Sequence, residues 1–316
     1  MSLTINHQTN DISNSTGTVK LNGTAVGGDN SPAWGDRGLF AGGRTGTTNQ
    51  DVIDYVTIST TSNATDFGNL SAARYGPAGL SNGSRGVFGG GQENLQTNTI
   101  EYVTIASTGN ATDFGDLTLT RRSGSACSDT TRGVFAGGFT SVRDDTMDYI
   151  TIASTGNATD FGNLSIGRFG AGGCSDMTRG LFGGGNDVNG QESNVIDYIT
   201  IQTTSNGTDF GDLSVARSEL GSCSDFTRGI FAGGNGGSSV IDYVTIAYTG
   251  NATDFGDLTV NRYRNAGSAN GTRGVFGGGT LGETVIDYIT IQTTGNATDF
   301  GDLSVGRFRV AACSGT

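Results

Sequence analysis

One seven-residue pattern occurs six times along this chain of 316 residues. It reads Arg-Gly-(Val/Leu/Ile)-Phe-(Ala/Gly)-Gly-Gly, and its copies begin at Arg37, Arg85, Arg132, Arg179, Arg228 and Arg273. Successive copies are 48, 47, 47, 49 and 45 residues apart, and the last runs 44 residues to Thr316. A period of about 45–50 residues that contains several short strands is typical of the blades of a β-propeller.

Each copy predicts four short strands. In the third copy these are Gly133–Gly138, Met147–Ile152, Thr159–Leu164 and Arg168–Ser175, rich in β-branched, aromatic or small residues and separated by glycine and asparagine turns. The fourth is the richest in small residues, which suits the crowded innermost position of a blade. The sequence therefore predicts an all-β fold, a six-bladed propeller with four antiparallel strands per blade.

The phase of the repeat predicts how the ring closes. The first copy begins at its second strand, and the chain ends after an inner strand within Arg307–Thr316. We expect this last strand to complete the first blade, since an open ring would leave two exposed strand edges. The predicted domains are a propeller over residues 37–316 and an attachment segment over residues 1–36. That segment lies outside the repeat and is too short for a core of its own.

Composition narrows the classes of partner. The net charge is −12 and Lys20 is the only lysine, so the chain lacks the basic field that nucleic-acid binding requires. No apolar run reaches the roughly 18–20 residues of a membrane span, and the N-terminus does not resemble a secretory signal. We expect neither nucleic acid nor membrane insertion.

The four cysteines occupy nearly equivalent positions in different copies: Cys127, Cys174, Cys223 and Cys313. Equivalent positions in different blades face separate environments, so the spacing favours small buried hydrophobic residues over disulfides or metal ligands. Their redox state stays open at this point.

The Phe-(Ala/Gly)-Gly-Gly runs, followed by a strand and a distant Asp-Phe-Gly-Asp-Leu, resemble kelch repeats. Kelch blades carry a di-glycine after the second strand and an aromatic residue, usually Trp, in the fourth. This chain has phenylalanine at that place and departs from the family there, at Phe67, Phe114, Phe161, Phe210, Phe255 and Phe300. The resemblance covers residues 37–316 and implies a fold, not an activity.

A second resemblance concerns residues 3–13, Leu-Thr-Ile-Asn-His-Gln-Thr-Asn-Asp-Ile-Ser. This run resembles the opening of structural proteins of tailed phages, particularly phages of marine cyanobacteria, and the near-identical blades are similar to propellers in such virions. The resemblance implies a location on the phage particle, in the tail or associated with the capsid. It also implies that other virion proteins bind residues 1–36.

Charged residues recur in every copy, which favours structural ion pairs over a single ligand site. We expect bidentate pairing of twelve recurring arginines with twelve recurring carboxylates. The arginines are the six that open the copies and six before the inner strands, Arg74, Arg121, Arg168, Arg217, Arg262 and Arg307. The carboxylates are those before tyrosine and those before phenylalanine: Asp54, Glu101, Asp148, Asp197, Asp242, Asp287, Asp66, Asp113, Asp160, Asp209, Asp254 and Asp299.

Catalytic and metal chemistry is poorly supported. His7 is the only histidine, which excludes a histidine-based triad or a histidine-ligated copper site within the repeats. The recurring turn with Asn110, Asp113 and Asp116 lacks the spacing and bidentate glutamate of a calcium loop, and its Asn-Ala-Thr is read as turn chemistry rather than a glycosylation site. A paired-carboxylate glycosidase stays possible. We expect no enzyme, no cofactor and no metal.

Sequence diversity is concentrated in the loops between the second and third strands: Arg44–Val52, Gln92–Thr99, Phe139–Thr146, Asn186–Val195, Asn235–Val240 and Thr280–Val285. The residue after each inner-strand arginine also varies. Strand alternation predicts that these loops and residues share one face, opposite the near-invariant turns. The candidate ligand-binding residues are Arg44, Tyr75, Phe139, Arg143, Phe169, Asp187, Asn189, Gln191, Glu192 and Tyr263.

These observations favour a virion structural protein whose propeller displays a host-receptor or glycan-binding face, anchored through its N-terminal segment. Ordered loops on a rigid scaffold are the usual place for a binding surface. One alternative is a purely structural decoration of capsid or tail whose loops vary because nothing constrains them. A second alternative is a glycan hydrolase.

Overall fold

The structure, a computed structural model, describes residues 35–235 and 238–316, together with the backbone of four short strands before them. The chain forms two compact units, Met1–Ala33 and Trp34–Thr316. In the first, Leu3–Asn6 pairs with Asp11–Asn14, and Val19–Leu21 pairs with Thr24–Val26, both antiparallel. The rest of the predicted attachment segment up to residue 34 lies outside the described residues. Its boundary at residues 36 and 37 and its role stay predictions.

Residues 35–316 form an all-β propeller of six four-stranded antiparallel sheets, as the repeat predicts. From blade 1 to blade 6, the inner strands are Ala311–Gly315, Ala78–Ser81, Ser125–Ser128, Gly172–Ser175, Gly221–Ser224 and Ala266–Ala269. The second strands are Arg37–Ala41, Arg85–Gly89, Arg132–Phe139, Arg179–Gly183, Arg228–Ala232 and Arg273–Gly277.

The third strands are Val52–Thr57, Thr99–Thr104, Arg143–Thr151, Val195–Thr200, Val240–Thr245 and Val285–Thr290. The outer strands are Thr65–Asn69, Thr112–Asp116, Thr159–Asn163, Thr208–Asp212, Thr253–Asp257 and Thr298–Asp302. Four two-residue strands and one 3-10 turn lie in the loops: Arg44–Thr45, Thr48–Asn49, Arg168–Phe169, Asn186–Asp187 and Thr280–Gly282. No helix among the described residues is long and apolar enough to span a membrane.

The predicted closure of the ring is confirmed. Ala311–Gly315 pairs antiparallel with Arg37–Ala41 and becomes the inner strand of blade 1, with Ala312 opposite Phe40. The predicted fourth strand Arg168–Ser175 is in fact two pieces, Arg168–Phe169 and Gly172–Ser175. The chain breaks between them because Gly170 has a φ of 69°, outside the extended region.

The hydrophobic core is divided into six layers, one between each pair of neighbouring blades. Between blades 1 and 2, for example, Leu39 and Phe67 pack with Phe88 and Ile105. In every blade the outer-strand phenylalanine meets the third-strand tyrosine edge to face, with ring centroids 6.0–6.2 Å apart. A tyrosine–phenylalanine pair thus fills the place where the kelch resemblance would put tryptophan.

The di-glycine of each repeat has a steric reason. Gly90 and Gly91 have φ values of 69° and 111°, and the N–H of Gly91 donates to the carbonyl of Arg121 at 2.8 Å. A Cβ on Gly90 would lie 2.5 Å from that same carbonyl oxygen. The two glycines therefore let the segment that enters the next blade cross directly over the end of the second strand.

Candidate ligand-binding face

The propeller has two faces with different contents. We call the variable face the one formed by the loops between second and third strands and by the segments that lead from each outer strand to the next inner strand. We call the repeat face the one formed by the turns between inner and second strands and between third and outer strands. The predicted candidates all lie in segments of the variable face.

Each segment of the variable face is fixed from below by a buried ion pair. In blade 3, Arg121 Nη2 lies 2.7 Å from Asp148 Oδ2, and Arg121 Nη1 donates to the carbonyl of Thr146 at 2.7 Å. The other carboxylate oxygen accepts the hydroxyl of Thr118 at 2.5 Å. The equivalent pairs are Arg74–Glu101, Arg168–Asp197, Arg217–Asp242, Arg262–Asp287 and Arg307–Asp54.

These pairs confirm structural pairing for half of the recurring charges. Each described pair is joined through one guanidinium nitrogen and one carboxylate oxygen, so the expected bidentate geometry is wrong. The remaining donors of the arginines bind backbone carbonyls instead, as Arg168 Nη2 does with Phe182 O at 2.9 Å. A β-bulge at each third-strand carboxylate, for example between Ile53 and Asp54, turns it towards the arginine.

Burial dominates the electrostatics of these pairs. The pKa of Arg121 is lowered by burial, which the attraction of Asp148 opposes. The pKa of Glu101 is raised by burial, which the attraction of Arg74 opposes. Desolvation of both partners therefore offsets much of their attraction, and the pairs contribute to the specificity of the linker path more than to stability.

The other half of the predicted pairing is wrong among the described residues. The arginines that open the copies stack on tyrosine: the guanidinium carbon of Arg132 lies 4.3 Å from the ring centroid of Tyr149. Arg132 Nη1 then donates to the carbonyl of Ile201 in the next blade at 3.1 Å. The aspartates before phenylalanine, such as Asp66, are exposed to solvent. These arginines bind a cation-π partner and a carbonyl because no carboxylate points into the gap between blades.

The cysteines are free and buried, as predicted, in four different core layers. Cys127 Sγ would contact a Cβ on Gly180 of the next blade at 2.2 Å, so a glycine makes room for it. Burial raises the pKa of Cys313 to about 12 and that of Cys174 further. These thiols are therefore unreactive core residues.

The loops of blades 3 and 4 meet in an aromatic and arginine row. The rings of Phe139 and Phe169 lie edge to face with centroids 5.8 Å apart. Arg122 lies 4.7 Å above Phe139, and Arg143 lies 5.8 Å above Phe169. Arg143 donates twice to Asn186 Oδ1, at 3.1 and 2.8 Å. Three candidates, Phe139, Arg143 and Phe169, are thus brought together.

The acidic loop of blade 4 continues this row. Glu192 Oε1 accepts from Asn235 of blade 5 at 3.0 Å and from Asn186 at 3.5 Å, whereas Glu192 Oε2 is buried and finds no hydrogen-bond partner among the described residues. Asp187 accepts the N–H groups of Asn189 and Gln191, both at 2.9 Å, which lower the pKa of Asp187. Asp187 therefore shapes its own loop, while Asn189 and Gln191 remain exposed at the tip.

Arg44 and Tyr75 lie in a separate groove of about 590 Å³ between blades 1 and 2. The guanidinium of Arg44 lies 5.1 Å from the Tyr75 ring centroid, and Tyr75 Oη donates to Gln92 Oε1 at 2.6 Å. Asn49 and Glu93 also line the groove. Its volume lies within the range of about 300–1,000 Å³ that small-ligand sites occupy.

The axis of the propeller carries a feature that the sequence analysis missed. Six residues, each two positions after an inner-strand arginine, form a closed circle of backbone hydrogen bonds of 2.5–2.8 Å, N–H to the preceding carbonyl. All six have φ values between 53° and 69°. We call this circle the axial ring: Gly76, Ser123, Gly170, Glu219, Arg264 and Arg309.

Four members of the axial ring carry side chains in a conformation that favours glycine. Such a residue costs about 1–3 kcal/mol in strain, and two of the six positions do hold glycine. The charged side chains of Glu219, Arg264 and Arg309 therefore persist against a local preference. Backbone strain of this kind points to a functional hypothesis when the surroundings hold it in place.

The side chains of the axial ring form a charged cluster at the mouth of the channel. Glu219 Oε2 accepts from Arg264 Nε at 2.5 Å, and Glu219 Oε1 accepts from Arg309 Nε at 2.9 Å. Arg309 also lies 5.4 Å from the centroid of Tyr75. Arg264 lies between two rings, 4.7 Å from Tyr263 and 5.4 Å from Phe308. The candidate Tyr263 thus belongs to the axial cluster.

Sequence reasoning noted the position after each inner-strand arginine but not the next one. A signal was present, because that next position is glycine in two copies and charged in three. Glycine alternating with charge at one repeat position indicates a left-handed backbone with a retained side chain. The partners Asn49, Gln92 and Asn186 carried no comparable signal.

The comparisons with known proteins do not name a family for this chain. No protein-family model and no curated protein matches it. The resemblances to kelch repeats and to phage structural proteins therefore stay predictions. Among the described residues no group of three or more His, Cys, Asp or Glu side chains is placed to hold a metal ion.

Proposed function

We propose that this propeller is a non-enzymatic binding module that recognises a cell-surface receptor or glycan through its variable face. The observation that carries the proposal is the side-chain content of that face. It holds aromatic rings, guanidinium groups and amides that differ from blade to blade, on a backbone that every blade fixes in the same way. Aromatic surface with a few oriented polar groups is the usual composition of a sugar-binding site.

Exposed apolar side chains support the same face. Of the seven large hydrophobic side chains that are exposed among the described residues, six lie in loops or linkers of the variable face. They are Leu95, Leu119, Val142, Val188, Val215 and Val260, and the seventh is Tyr248 on the repeat face. Exposed apolar groups concentrated on one side of a protein often mark an interaction surface.

The absence of enzymatic activity is part of the proposal. On the variable face, Glu219 is bound by two arginines, Glu192 accepts from two amides, and Asp187 accepts from its own loop. A glycosidase needs two carboxyl groups that face each other across a substrate. Carboxylates engaged in this way favour positioning of a ligand over acid–base chemistry.

The attachment of the propeller to a phage particle through residues 1–36 is proposed on the resemblance of residues 3–13 alone. Locating the chain in an electron cryo-microscopy map of a virion tests this part directly. A variable face buried against other virion proteins would favour the alternative, a structural decoration without receptor contact.

The binding face itself is tested by loop exchange. In one variant, Phe139–Thr146 is replaced by the six-residue loop of blade 5, Asn235–Val240, and in a second variant Asn186–Val195 is replaced likewise. We expect both to lose binding to host cells or to glycans on an array. The melting temperature should hardly change, because shortening a surface loop alters its closure entropy by less than about 1 kcal/mol.

The matched control lies on the repeat face. Asn157→Ala should leave binding intact, since Asn157 Oδ1 accepts only from the backbone N–H of Asp116 among the described contacts, at 3.1 Å. Loop-exchange variants that bind as the parent does would remove the variable face as the receptor site.

A further inference from the structure

We infer that the axial ring binds the anionic group of the ligand, so that the ligand of this face is an acidic saccharide bearing a carboxylate or a sulfate ester. The inference rests on the proposed function, since it names the ligand class for the same face. It is argued from charge, unpartnered polar groups and adjacent rings.

The first argument is local charge. Three guanidinium groups, those of Arg122, Arg264 and Arg309, are close enough to influence one another's protonation, whereas Glu219 is the carboxylate they share. The mouth of the channel therefore carries an excess of two positive charges in a chain whose net charge is −12. Such an excess, held at one point of an acidic protein, attracts an anion rather than a neutral or cationic group.

The second argument is unsatisfied donors. Nε and Nη1 of Arg122 are buried and find no hydrogen-bond partner among the described residues. The pKa of Arg122 is lowered, mainly by burial. The hydroxyl of Ser123 is also unpartnered, although Ser123 is only 9 % exposed. Buried polar groups are normally hydrogen-bonded, so these donors indicate an acceptor that the protein itself does not supply.

The third argument is space. A cavity of about 70 Å³ opens at the ring, lined by Ser123, Glu219, Arg264 and Arg309. Its size suits a carboxylate or sulfate group and not a whole sugar. The sugar would lie outside, where Tyr75, Phe139, Phe169, Tyr263 and Phe308 surround the mouth.

The chemistry of the pair favours this division. A guanidinium group matches the two oxygens of a carboxylate or sulfate with parallel hydrogen bonds, and it stacks on rings at the same time. The ring carbons of a saccharide stack on tyrosine and phenylalanine faces. The strained charged residues of the axial ring are explained if their side chains bind the ligand.

The experiment uses the chain's own alternative residue, glycine, which replaces Gly76 and Gly170 at no steric cost. Arg309→Gly and Glu219→Gly both remove a strained side chain, and both should stay folded with an unchanged or higher melting temperature. A merely structural role of the axial ring predicts the same direction of change for the two variants. Anion binding predicts opposite directions.

The readout is the melting temperature in the presence of D-glucuronate, glucose or inorganic sulfate at constant ionic strength. The parent should be stabilised by glucuronate or sulfate and not by glucose. Apparent affinity should fall about tenfold or more in Arg309→Gly and in Arg122→Gln, since each removes charge-assisted hydrogen bonds, and should rise in Glu219→Gly. The glucuronate and sulfate arms distinguish a carboxylated from a sulfated ligand.

Two results would overturn the inference: equal responses of the parent to glucuronate, sulfate and glucose, or responses of Arg309→Gly and Glu219→Gly in the same direction. Because the readout needs no receptor, it is independent of the loop exchange. Loop variants that lose glycan binding while glucuronate and sulfate have no effect would leave the proposed function standing and the acidic ligand rejected. An anion effect without any cell or glycan binding by the parent would reject the proposed receptor, and with it the saccharide ligand.

Discussion

The repeat face and the variable face are built by the same six repeats, but they use side chains differently. On the repeat face, side chains join neighbouring blades in the same way around the ring. Asn110 Oδ1 accepts the N–H of Asn69 in the preceding blade at 3.1 Å, and Asn63, Asn157, Asn206, Asn251 and Asn296 repeat this contact. The opening arginines reach the next blade as regularly, from Arg37 with Ile105 O to Arg273 with Ser59 O.

On the variable face the backbone carries the regular contacts. The axial ring and the di-glycine crossings join the blades through N–H and C=O groups, and the buried arginines fix each linker from below. Side chains above these contacts are not needed to join the blades. A face held together by its backbone can vary its surface residues without loss of the fold, which is what a binding surface requires.

The largest effect is expected where both faces depend on one segment. Deleting Arg307–Thr316 removes the closing strand, the buried partner of Asp54 and one member of the axial ring. Two strand edges and their apolar neighbours become exposed, at a cost of several kcal/mol in a domain whose net stability is about 5–15 kcal/mol. We expect unfolding or oligomerisation, measured by circular dichroism and light scattering. A monomer with an unchanged melting temperature would show that the ring does not need its closing strand.

The next effect concerns the ion pairs beneath the variable face. Arg74→Met leaves Glu101 buried without its partner, and breaking a buried pair in this way typically costs about 3–5 kcal/mol in the free energy of unfolding. Adding Glu101→Leu should recover most of the loss, because the pair is offset by its own desolvation. Urea unfolding of the two variants checks this. A single variant as stable as the parent would mean that the pair does not fix the linker.

The same variant has a defined pH dependence. Burial raises the pKa of Glu101 in the parent, and removing Arg74 raises it further. A carboxyl group whose folded pKa lies above its unfolded value contributes stability below the unfolded pKa, and this is lost as pH rises through the folded pKa. The deficit of Arg74→Met should therefore be smallest near about pH 4 and grow towards about pH 7. A deficit independent of pH would point to lost packing instead.

The regular parts of both faces were predictable, and the irregular parts were not. The opening arginines gave the period, and the position of Arg307–Thr316 gave the closure, because repetition averages out local ambiguity. Pairing of Arg121 with Asp148 followed from its six-fold recurrence. The axial ring did not follow, since its members have in common a backbone conformation and not a residue type. The approach of Arg143 to Asn186 depends on loop paths that no periodicity encodes.

A smaller effect separates the two faces by function. Asn110→Ala and Asn157→Ala each remove one acceptor of a repeat-face contact, and we expect a loss of about 1 kcal/mol apiece. Binding to the ligand of the variable face should be unaffected. Thermal unfolding and the glycan assay together check this pair of outcomes. A loss of binding at unchanged stability would place a ligand site on the repeat face and reverse the assignment of the two faces.

The smallest effect tests whether regularity itself stabilises the repeat-face end of the channel. There, the hydroxyls of Ser81, Ser128, Ser175 and Ser224 each donate to a carbonyl of the preceding inner strand at 2.5–2.7 Å, and Ser314 donates to Ala269 O at 2.6 Å. Blade 6 has Ala269 where the others have serine, so the belt lacks one hydroxyl.

Ala269→Ser should supply the missing donor towards the carbonyl of Ser224 and raise the free energy of unfolding by about 0.5–1 kcal/mol, the net contribution of one intramolecular hydrogen bond. Ser128→Ala, which opens a second gap, should lower it by a similar amount or slightly more, because the carbonyl of Ser81 then loses its donor. Urea unfolding of both variants measures the two changes against one parent. Equal destabilisation by both substitutions would mean that steric fit around the channel, and not a continuous belt of hydroxyls, decides which residue each blade places there.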